Sequence, residues 1–414
     1  MSVASTDWDL LSSYAGLLSL ACASIYAGSY GSLSVRHSSF CKSFKRPGTE
    51  PDEEDEQEVE RLSSQDAYLF PVFGSVVLFG LYLIVKYYGK EWITWLLQWY
   101  FTIAGVGSVG KSLISLTRWL VGESRWKKFD NNKILVLKGP RELLSFSLRT
   151  PSLFLLPIGA IPSILYTFGG SVTRRSALLT DLLGLSFSHN ALSLLKLDSF
   201  KTGVVLLSGL FVYDIWWVFG TEVMVKVATN LDVPIKLLWP KSVLFSAERG
   251  FTMLGLGDIV IPGMFVATAL RYDYHRASRQ GQLASVRKAY FHAALVAYAL
   301  GLVATMSVMH FFRKAQPALL YLSPACILSF FVMALFQGDL NEAWGWSDQV
   351  EEKPEQRSDK SAAGSIDKNA PVDAAAKSPV GDEPLSEDAT ALSSLPEESA
   401  EGSERKKQSE KKRS

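Results

Sequence analysis

The sequence predicts an all-α polytopic membrane protein with nine spanning helices. Hydrophobic residues make up 48% of the 414 residues, and they are concentrated in runs of about 20 residues instead of being spaced at amphipathic intervals. A hydrocarbon core about 30 Å thick requires roughly 20 apolar helical residues, so each run is long enough to cross a bilayer. The expected spans are residues 10–30, 67–86, 92–117, 152–169, 177–195, 202–219, 251–270, 289–312 and 317–337.

The distribution of positive charge predicts how the spans are oriented. The net charge is only +1, so no attraction to nucleic acid is expected. No Lys or Arg precedes the first span, whereas four basic residues follow it between 36 and 46. The positive-inside rule then places the N-terminus in the lumen, and nine spans leave the C-terminus in the cytosol. The basic connections at 118–151 and 271–288 agree with this orientation, while Arg174, Arg175, Arg313 and Lys314 run against it.

Two segments outside the spans are too polar to fold alone. The acidic run at 51–60 cannot bury apolar surface and predicts a solvated cytosolic loop. From Ser347 onward the chain has no aromatic residue and is rich in Ser, Ala, Glu, Lys and Pro, which is typical of disorder. The expected domains are 1–66 (first span and acidic loop), 67–200 (spans two to five), 201–345 (spans six to nine) and 346–414 (disordered cytosolic tail).

Several kinds of site are not expected. The three cysteines, Cys22, Cys41 and Cys326, give no disulfide framework, and the five histidines form no His-Glu-x-x-His motif, so neither a metal nor a cofactor is predicted. Residues 105–112 match the Gly-x-x-x-x-Gly-Lys-Ser pattern of a phosphate-binding loop. That loop requires a strand before it in a soluble parallel sheet, whereas this segment lies inside an expected span. We therefore interpret it as a Gly-rich helix contact, with Lys111 reaching the interface or the bundle interior.

Two aspartates inside the spans are the candidate catalytic residues. An Asp at the centre of a membrane helix costs roughly 2.5 to 3.5 kcal/mol, so its presence predicts a function. Asp214 is the only ionised side chain between the ends of the sixth span, and Asp258 is the only one in the seventh. Counting from the lumenal ends, their depths are about 9 and 12 Å, so the carboxyl groups are expected to lie level on adjacent helices.

Two carboxyl groups at short distance in a low-dielectric site supply both an acid and a base. Both cannot ionise cheaply, so one keeps a proton while the other stays charged. The charged group can activate a water molecule against a peptide carbonyl, while the protonated group donates to the carbonyl oxygen. Gly255 and Gly257 precede Asp258 and leave room for a close backbone approach, although Gly pairs also serve helix packing in membranes.

Three short motifs lie on the sixth, seventh and ninth spans. They are Tyr213-Asp214, Gly255-Leu256-Gly257-Asp258 and Gln316-Pro317-Ala318-Leu319. In this order they resemble the presenilin and signal peptide peptidase family, and the stretch 183–271 is similar to the signal peptide peptidase branch. The resemblance covers most of the chain but not the acidic loop or the tail. It implies a nine-transmembrane-helix presenilin-like bundle.

The resemblance also implies roles for individual residues. Asp214 and Asp258 correspond to the catalytic aspartates, and Pro317-Ala318-Leu319 to a tripeptide that packs beside them. Tyr213 is expected to orient or shield Asp214, and Gly255, Leu256, Gly257 and Gln316 to support the site. On its own chemistry Pro317 also suits the start of a helix, because it has no N–H to lose.

The implied substrates are membrane-spanning peptides, including remnant signal peptides and type II membrane proteins. A substrate helix must open before its peptide bonds are accessible, because its carbonyls are otherwise bonded within the helix. We expect the opened segment to pair as an added strand with residues 221–228 or with the backbone near Pro317. The chain ends in Lys411-Lys412-Arg413-Ser414, which resembles a dilysine retrieval signal and predicts the endoplasmic reticulum membrane. The degradation machinery of that membrane and a homo-oligomer are left open as partners.

Two other functions and two other polar residues are weighed against this prediction. An ion-coupled transporter also uses intramembrane carboxylates, but it predicts internal repeats, which the sequence lacks. A non-catalytic adaptor in protein degradation would not require both aspartates. In the fifth span, Asp181 is expected to pair with Arg174 or Arg175, and His189 to be an interior histidine without a catalytic role.

Overall fold

The computed structural model describes residues 3–33, 61–126, 128–138, 141–169, 176–221, 223, 235–241, 250–281, 286–312 and 316–348. The acidic run at 51–60, Cys41 and the dilysine pair Lys411-Lys412 lie outside these ranges.

Nine helices of 18 or more residues form the framework of the described part of the chain, and each corresponds to one expected span. In chain order the helices are α1 (Val3–Gly31), α2 (Ser64–Tyr88), α3 (Lys90–Val121), the short α4 (Glu123–Trp126), α5 (Thr150–Phe168), α6 (Ala177–Leu194), α7 (Phe200–Phe219), α8 (Gly257–Arg279), α9 (Ala289–Phe312), α10 (Leu319–Gln337) and the short α11 (Leu340–Gly345). The predicted polytopic helical architecture is confirmed.

Six of these helices are long and apolar enough to cross a membrane by composition alone: α1, α2, α5, α7, α9 and α10. The other three long helices carry more polar residues. For example, α6 contains Asp181, His189 and Asn190, and α8 carries Asp258 at its start and charged residues toward its end. Such helices require shielding from lipid, which neighbouring helices provide.

Local capping chemistry sets several helix ends. Ser63 and Asp66 form a reciprocal capping box at the start of α2, and the Ser199 side chain accepts the Thr202 N–H at the start of α7. These bonds satisfy backbone donors that have no partner within the helix. Gly338 ends α10 in a left-handed conformation with φ 68°, which glycine adopts without strain.

Helix α8 is the central helix of the bundle. Every residue from Pro262 to Asp273 is buried, and α8 contacts α1, α6, α7, α9 and α10. Small residues allow this packing: a Cβ atom at Gly263 would lie 2.8 Å from Leu192 of α6, and one at Gly203 of α7 would lie 2.7 Å from Phe265. The central position of α8 brings the residues at its N-terminal end into the protein interior.

Three two-stranded sheets accompany the helices. Strand β1 (Arg61–Leu62) pairs in parallel with β4 (Lys196–Leu197). Strand β2 (Asn131–Lys138) pairs antiparallel with β3 (Arg141–Arg149), so the basic connection at 118–151 contains a hairpin that its composition did not predict. Strand β5 (Lys236–Pro240) pairs antiparallel with β6 (Phe251–Gly255).

The expected helix at 251–270 is wrong over its first residues. Residues 251–255 form strand β6, and α8 begins only at Gly257. Two glycines at 255 and 257 disfavour helix, and the preceding Phe-Thr-Met-Leu run suits a strand once β5 is available as a partner. The helix continues to Arg279, beyond the expected end at 270.

The chain remains packed past the boundary expected at 346. The Trp346 ring lies 5.9 Å from that of Phe200 and 5.4 Å from that of Tyr272. The Asp348 carboxylate lies 3.2 Å from the Arg271 guanidinium, and these side chains are 8% and 2% exposed. The Asp348 N–H donates to the Asp198 carbonyl at 2.7 Å. The segment 346–348 therefore connects α7 and α8 after the last long helix.

The buried pair predicts a large stability loss in Asp348→Ala. Removing one partner leaves the Arg271 charge buried without its carboxylate, which costs about 3 to 5 kcal/mol in comparable pairs. The measurement is unfolding of the purified protein in mixed detergent. The matched control is Glu342→Ala, whose pair with Arg279 spans 2.7 Å but is 52% and 65% exposed, and it should cost less than about 1 kcal/mol. Equal losses in the two variants would contradict the structural role assigned to Asp348.

Candidate active site

Asp214 lies near the C-terminal end of α7 and is 5% exposed. Its Oδ2 atom accepts the Leu319 backbone N–H at 3.3 Å. Leu319 is the first residue of α10, and the first N–H groups of a helix have no partner within it. The positive end of the α10 dipole also favours a carboxylate there. The contact therefore fixes one oxygen of Asp214 at a favourable position.

The tripeptide after Gln316 forms the start of α10. Pro317 is buried, and its carbonyl accepts the Leu320 N–H at 3.3 Å. The Ala318 carbonyl accepts from Tyr321 and Leu322, each at 3.1 Å. The expectation that Pro317 stands at a helix start is confirmed. The tripeptide also lies beside Asp214, as expected, and the contact is the hydrogen bond from the Leu319 N–H. Gln316 is partly buried just before this turn.

Asp258 occupies the first turn of α8, directly after strand β6. The sequence predicted that Asp258 lies about two turns inside a helix. The difference arises because residues 251–255 are extended, so the helix begins only one residue before Asp258. The Asp258 carboxyl is close enough to that of Asp214 to interact with it electrostatically. The two aspartates that the sequence singled out thus lie on contacting helices, α7 and α8.

The residues before Asp258 connect the strand to the helix. The Leu256 N–H donates to the Ile235 carbonyl at 3.0 Å, and the Leu256 carbonyl accepts from Val260 at 2.8 Å. A Cβ atom at Gly255 would lie 3.3 Å from Asp258 Oδ2, whereas one at Gly257 would have nothing within 4 Å. A side chain at position 255 would therefore crowd the Asp258 carboxyl, whereas position 257 has open space beside it.

The Tyr213 side chain makes packing contacts. Its ring lies 6.3 Å from that of Trp217, and a Cβ atom at Gly74 of α2 would lie 3.6 Å from it. The contact with Trp217 is within α7, and the contact near Gly74 is between α7 and α2. Shielding of Asp214 by Tyr213 stays a prediction, and the contacts suit shielding better than orientation through the hydroxyl.

The two outer edges of the β5–β6 hairpin differ. The Leu256 N–H donates to the Ile235 carbonyl at one end of the hairpin, and the Lys241 N–H donates to the Gly250 carbonyl at the other. Because hydrogen-bonded pairs alternate along an antiparallel ladder, Leu237–Leu254 and Trp239–Thr252 are also hydrogen-bonded pairs. The residues between two hydrogen-bonded pairs direct their N–H and C=O groups away from the partner strand. These are residues 236, 238 and 240 on β5 and residues 251, 253 and 255 on β6.

The outer edge of β5 is covered by α6 and α1. Asp181 Oδ1 accepts the Leu238 N–H at 2.6 Å, and the Ser13 hydroxyl donates to the Pro240 carbonyl at 2.9 Å. Among the described residues, the hydrogen bonds to outward-facing groups of the hairpin all fall on β5. Met253 on β6 is 62% exposed. In the part of the chain that the structure describes, the edge without hydrogen-bonding partners is therefore that of β6, next to Asp258; we call it the open edge.

The Asp181 contact is one that the sequence did not predict. Arg174 and Arg175, its expected partners, lie outside the described residues. The sequence offered one signal for it: an ionisable residue inside a membrane span usually has a polar partner. His189 lies at the contact of α6 with α1, where a Cβ atom at Gly31 would lie 3.3 Å from its ring.

The Gly-rich segment at 105–112 is a helix contact. It lies within the continuous helix α3, so the strand that a phosphate-binding loop requires is missing from this described segment. A Cβ atom at Gly159 of α5 would lie 2.7 Å from the Gly110 Cα atom, and one at Gly105 would lie 2.5 Å from the Ser163 hydroxyl. The interpretation as helix packing is confirmed. In the ranges that the structure describes, no group of three His, Cys, Asp or Glu residues is arranged to hold a metal ion.

Known proteins resemble this chain over most of its length. The family model described as signal peptide peptidase matches residues 54–350. The signal peptide peptidase of Homo sapiens is 36% identical over 306 residues, which cover 71% of this chain and 76% of that protein. A probable intramembrane protease of Schizosaccharomyces pombe is 32% identical over 305 residues, covering 74% and 90%. Intramembrane protease 2 of Caenorhabditis elegans is 43% identical over 184 residues, covering 42% and 39%.

The matched region agrees with the geometry described above. It contains both intramembrane aspartates and the turn at Leu319 that contacts one of them. With a match of this extent, and with an aspartate on each of two contacting helices of the bundle, the chain belongs to the signal peptide peptidase family and is an intramembrane aspartyl protease.

Proposed function

We propose that Asp214 and Asp258 hydrolyse peptide bonds inside membrane-spanning segments by general acid–base catalysis. The observation that carries the proposal is that the two carboxyl groups lie within electrostatic range of each other, on helices α7 and α8, which contact each other inside the bundle. One carboxyl group keeps a proton and the other is charged. The charged group takes a proton from water as the water oxygen attacks the carbonyl carbon, and the other group donates to the carbonyl oxygen. Proton transfer to the leaving nitrogen then completes cleavage of the C–N bond.

Asp214 and Asp258 act as a pair whose protons cannot be assigned to one residue alone. The Leu319 N–H holds one oxygen of Asp214. The other oxygen is then available to share a proton with Asp258 or to contact water. Gly257 leaves open space next to Asp258, where a scissile bond fits without displacing a side chain.

The open edge of β6 is the proposed docking site for the unwound substrate. A peptide released from helical hydrogen bonding in a membrane needs new partners for its N–H and C=O groups. The outward groups of residues 251, 253 and 255 offer such partners immediately before Asp258, and an added strand would use them. The alternatives near Pro317 and at 221–228 have less support. The backbone after Pro317 begins a helix, and the second segment is described only at Thr221 and Val223.

We further propose that the substrates are remnant signal peptides and type II membrane proteins in the endoplasmic reticulum membrane. The name of the human relative, signal peptide peptidase, supports this substrate class. The basic connections at 118–151 and 271–288 support a lumenal N-terminus and a cytosolic C-terminus, and Lys411-Lys412 support retrieval to this membrane. Degradation machinery and a second copy of the chain stay open as protein partners in this setting. The transporter and the idle adaptor have no comparable support.

Replacing either aspartate by Asn should abolish cleavage. Asn has the shape of Asp but cannot exchange a proton, so Asp214→Asn and Asp258→Asn should each lower the rate at least about a hundredfold. The assay uses purified protein with a hydrophobic signal-peptide substrate, and mass spectrometry detects the products. Asp130→Asn, at an exposed position outside the long helices, is the matched control and should retain the wild-type rate. Cleavage by Asp258→Asn at the wild-type rate would refute the assignment.

The docking proposal predicts different effects for two substitutions of Met253. Met253→Pro removes the outward N–H of β6 without removing a hydrogen bond to β5, and it should lower kcat/KM roughly two- to tenfold. Met253→Leu keeps the N–H and should behave as wild type. The measurement is kcat/KM on the same substrate, with thermal unfolding as a check that the hairpin persists. If both variants cleave equally well, the substrate does not pair with this edge.

A further inference from the structure

We infer that Asp181 is a positioning residue that fixes which substrate bond is cleaved, by anchoring strand β5 to helix α6. The inference rests on the proposed function of Asp214, Asp258 and the β6 edge. Asp181 touches neither the carboxyl pair nor the open edge, so its action is through the hairpin. The hairpin that Asp181 anchors would recognise the extended backbone of the substrate peptide.

The contact of Asp181 has the properties of a structural anchor. Its Oδ1 atom accepts the Leu238 N–H at 2.6 Å, and hydrogen bonds to a carboxylate acceptor are stronger than those between neutral groups. The Leu238 N–H points away from β6, because Leu238 lies between the bonded pairs of Leu237 and Trp239. Without Asp181, a donor would be left without a partner within the membrane protein, and such a donor costs about 1 to 3 kcal/mol.

Neighbouring contacts hold the same edge against two helices. On α6, a Cβ atom at Gly184 would lie 2.9 Å from the Leu237 side chain and 3.5 Å from the Lys236 carbonyl. On α1, Ser13 bonds Pro240, and a Cβ atom at Gly16 would meet the Trp239 ring. The outer edge of β5 is thus attached at several points. Asp181 supplies the carboxylate among them.

A rigid β5 determines the register of anything added to β6. The pairing of β5 with β6 continues through the Leu256–Ile235 hydrogen bond to the residues just before Asp258. A slip of one residue along a strand moves the backbone by about 3.3 Å and reverses the side-chain faces. Because β6 leads directly into Asp258, a shift of the hairpin relative to α6 moves β6 and Asp258 relative to Asp214 on α7. A different peptide bond of the substrate then faces the Asp214 carboxyl group. The Asp181 anchor therefore restricts cleavage to one register.

The test compares Asp181→Leu with Asp181→Asn. Leu removes the acceptor at similar volume, whereas Asn keeps an acceptor oxygen for Leu238. Purified wild type and variants are given one signal-peptide substrate, and the cleavage positions are mapped by mass spectrometry together with kcat and KM. Asp181→Leu should produce cuts at neighbouring bonds and a kcat lowered roughly two- to tenfold. Asp181→Asn should retain the single wild-type product pattern.

Controls separate the anchor from general destabilisation. Ser24→Ala removes a different buried contact between α1 and α6, the 2.7 Å hydrogen bond to Ser188, and it should leave the cleavage positions unchanged. If Asp181→Leu does not fold, Ser13→Ala at the other end of the same β5 edge should broaden the cleavage positions instead. A wild-type product pattern in the folded Asp181→Leu variant, or in Ser13→Ala if that variant is used, would overturn the inference.

The two proposals fail in different ways. If Asp258→Asn cleaves as wild type does, the assignment of the catalytic pair fails. If Asp258→Asn is inactive while Asp181→Leu cuts at the single wild-type position, the catalytic pair stands and only the role of Asp181 is rejected.

Discussion

The structure depends on one constraint: polar groups inside the membrane must pair with other protein groups, because lipid supplies no hydrogen-bonding partners. A carboxyl group or an open strand edge in a membrane costs free energy unless protein atoms satisfy it. Asp214 is satisfied by the first free N–H of α10, and Asp181 by an outward N–H of β5. The pattern of these pairs decides where the chain departs from regular helix. Within the described ranges, it leaves the β6 edge, just before Asp258, without a partner.

The central helix α8 links this local chemistry to the rest of the fold. Its middle is buried on all sides. Its N-terminal end carries Asp258, and Arg271, in the C-terminal half of the helix, binds Asp348. The same segment after α11 also bonds the Asp198 carbonyl, just before α7. The helices that carry the two aspartates are thus held together at the opposite end from the carboxyl groups. Long helices transmit that alignment because their own hydrogen bonds keep them stiff.

The sequence predicted the nine helices and the two aspartates for a clear physical reason. Long apolar runs and isolated charges within them are local signals that need no knowledge of tertiary contacts. Strand β6 was missed because its residues continue an apolar run, and only pairing with β5 distinguishes a strand from a helix there. The contacts of Leu238 with Asp181 and of Asp348 with Arg271 were missed for a similar reason. Each joins residues far apart in the chain, so no spacing rule reveals it.

The open edge of β6 also has a consequence for the enzyme before any substrate arrives. Among the described residues, no group bonds the outward backbone atoms of 251, 253 and 255, and hydrocarbon offers them no hydrogen bonds. Solvent would satisfy them, so the docking proposal implies a hydrated recess at this depth of the bundle in the resting enzyme. The water that hydrolysis requires is then already beside the aspartates. When a peptide docks, its amide groups replace some of the water molecules at this edge.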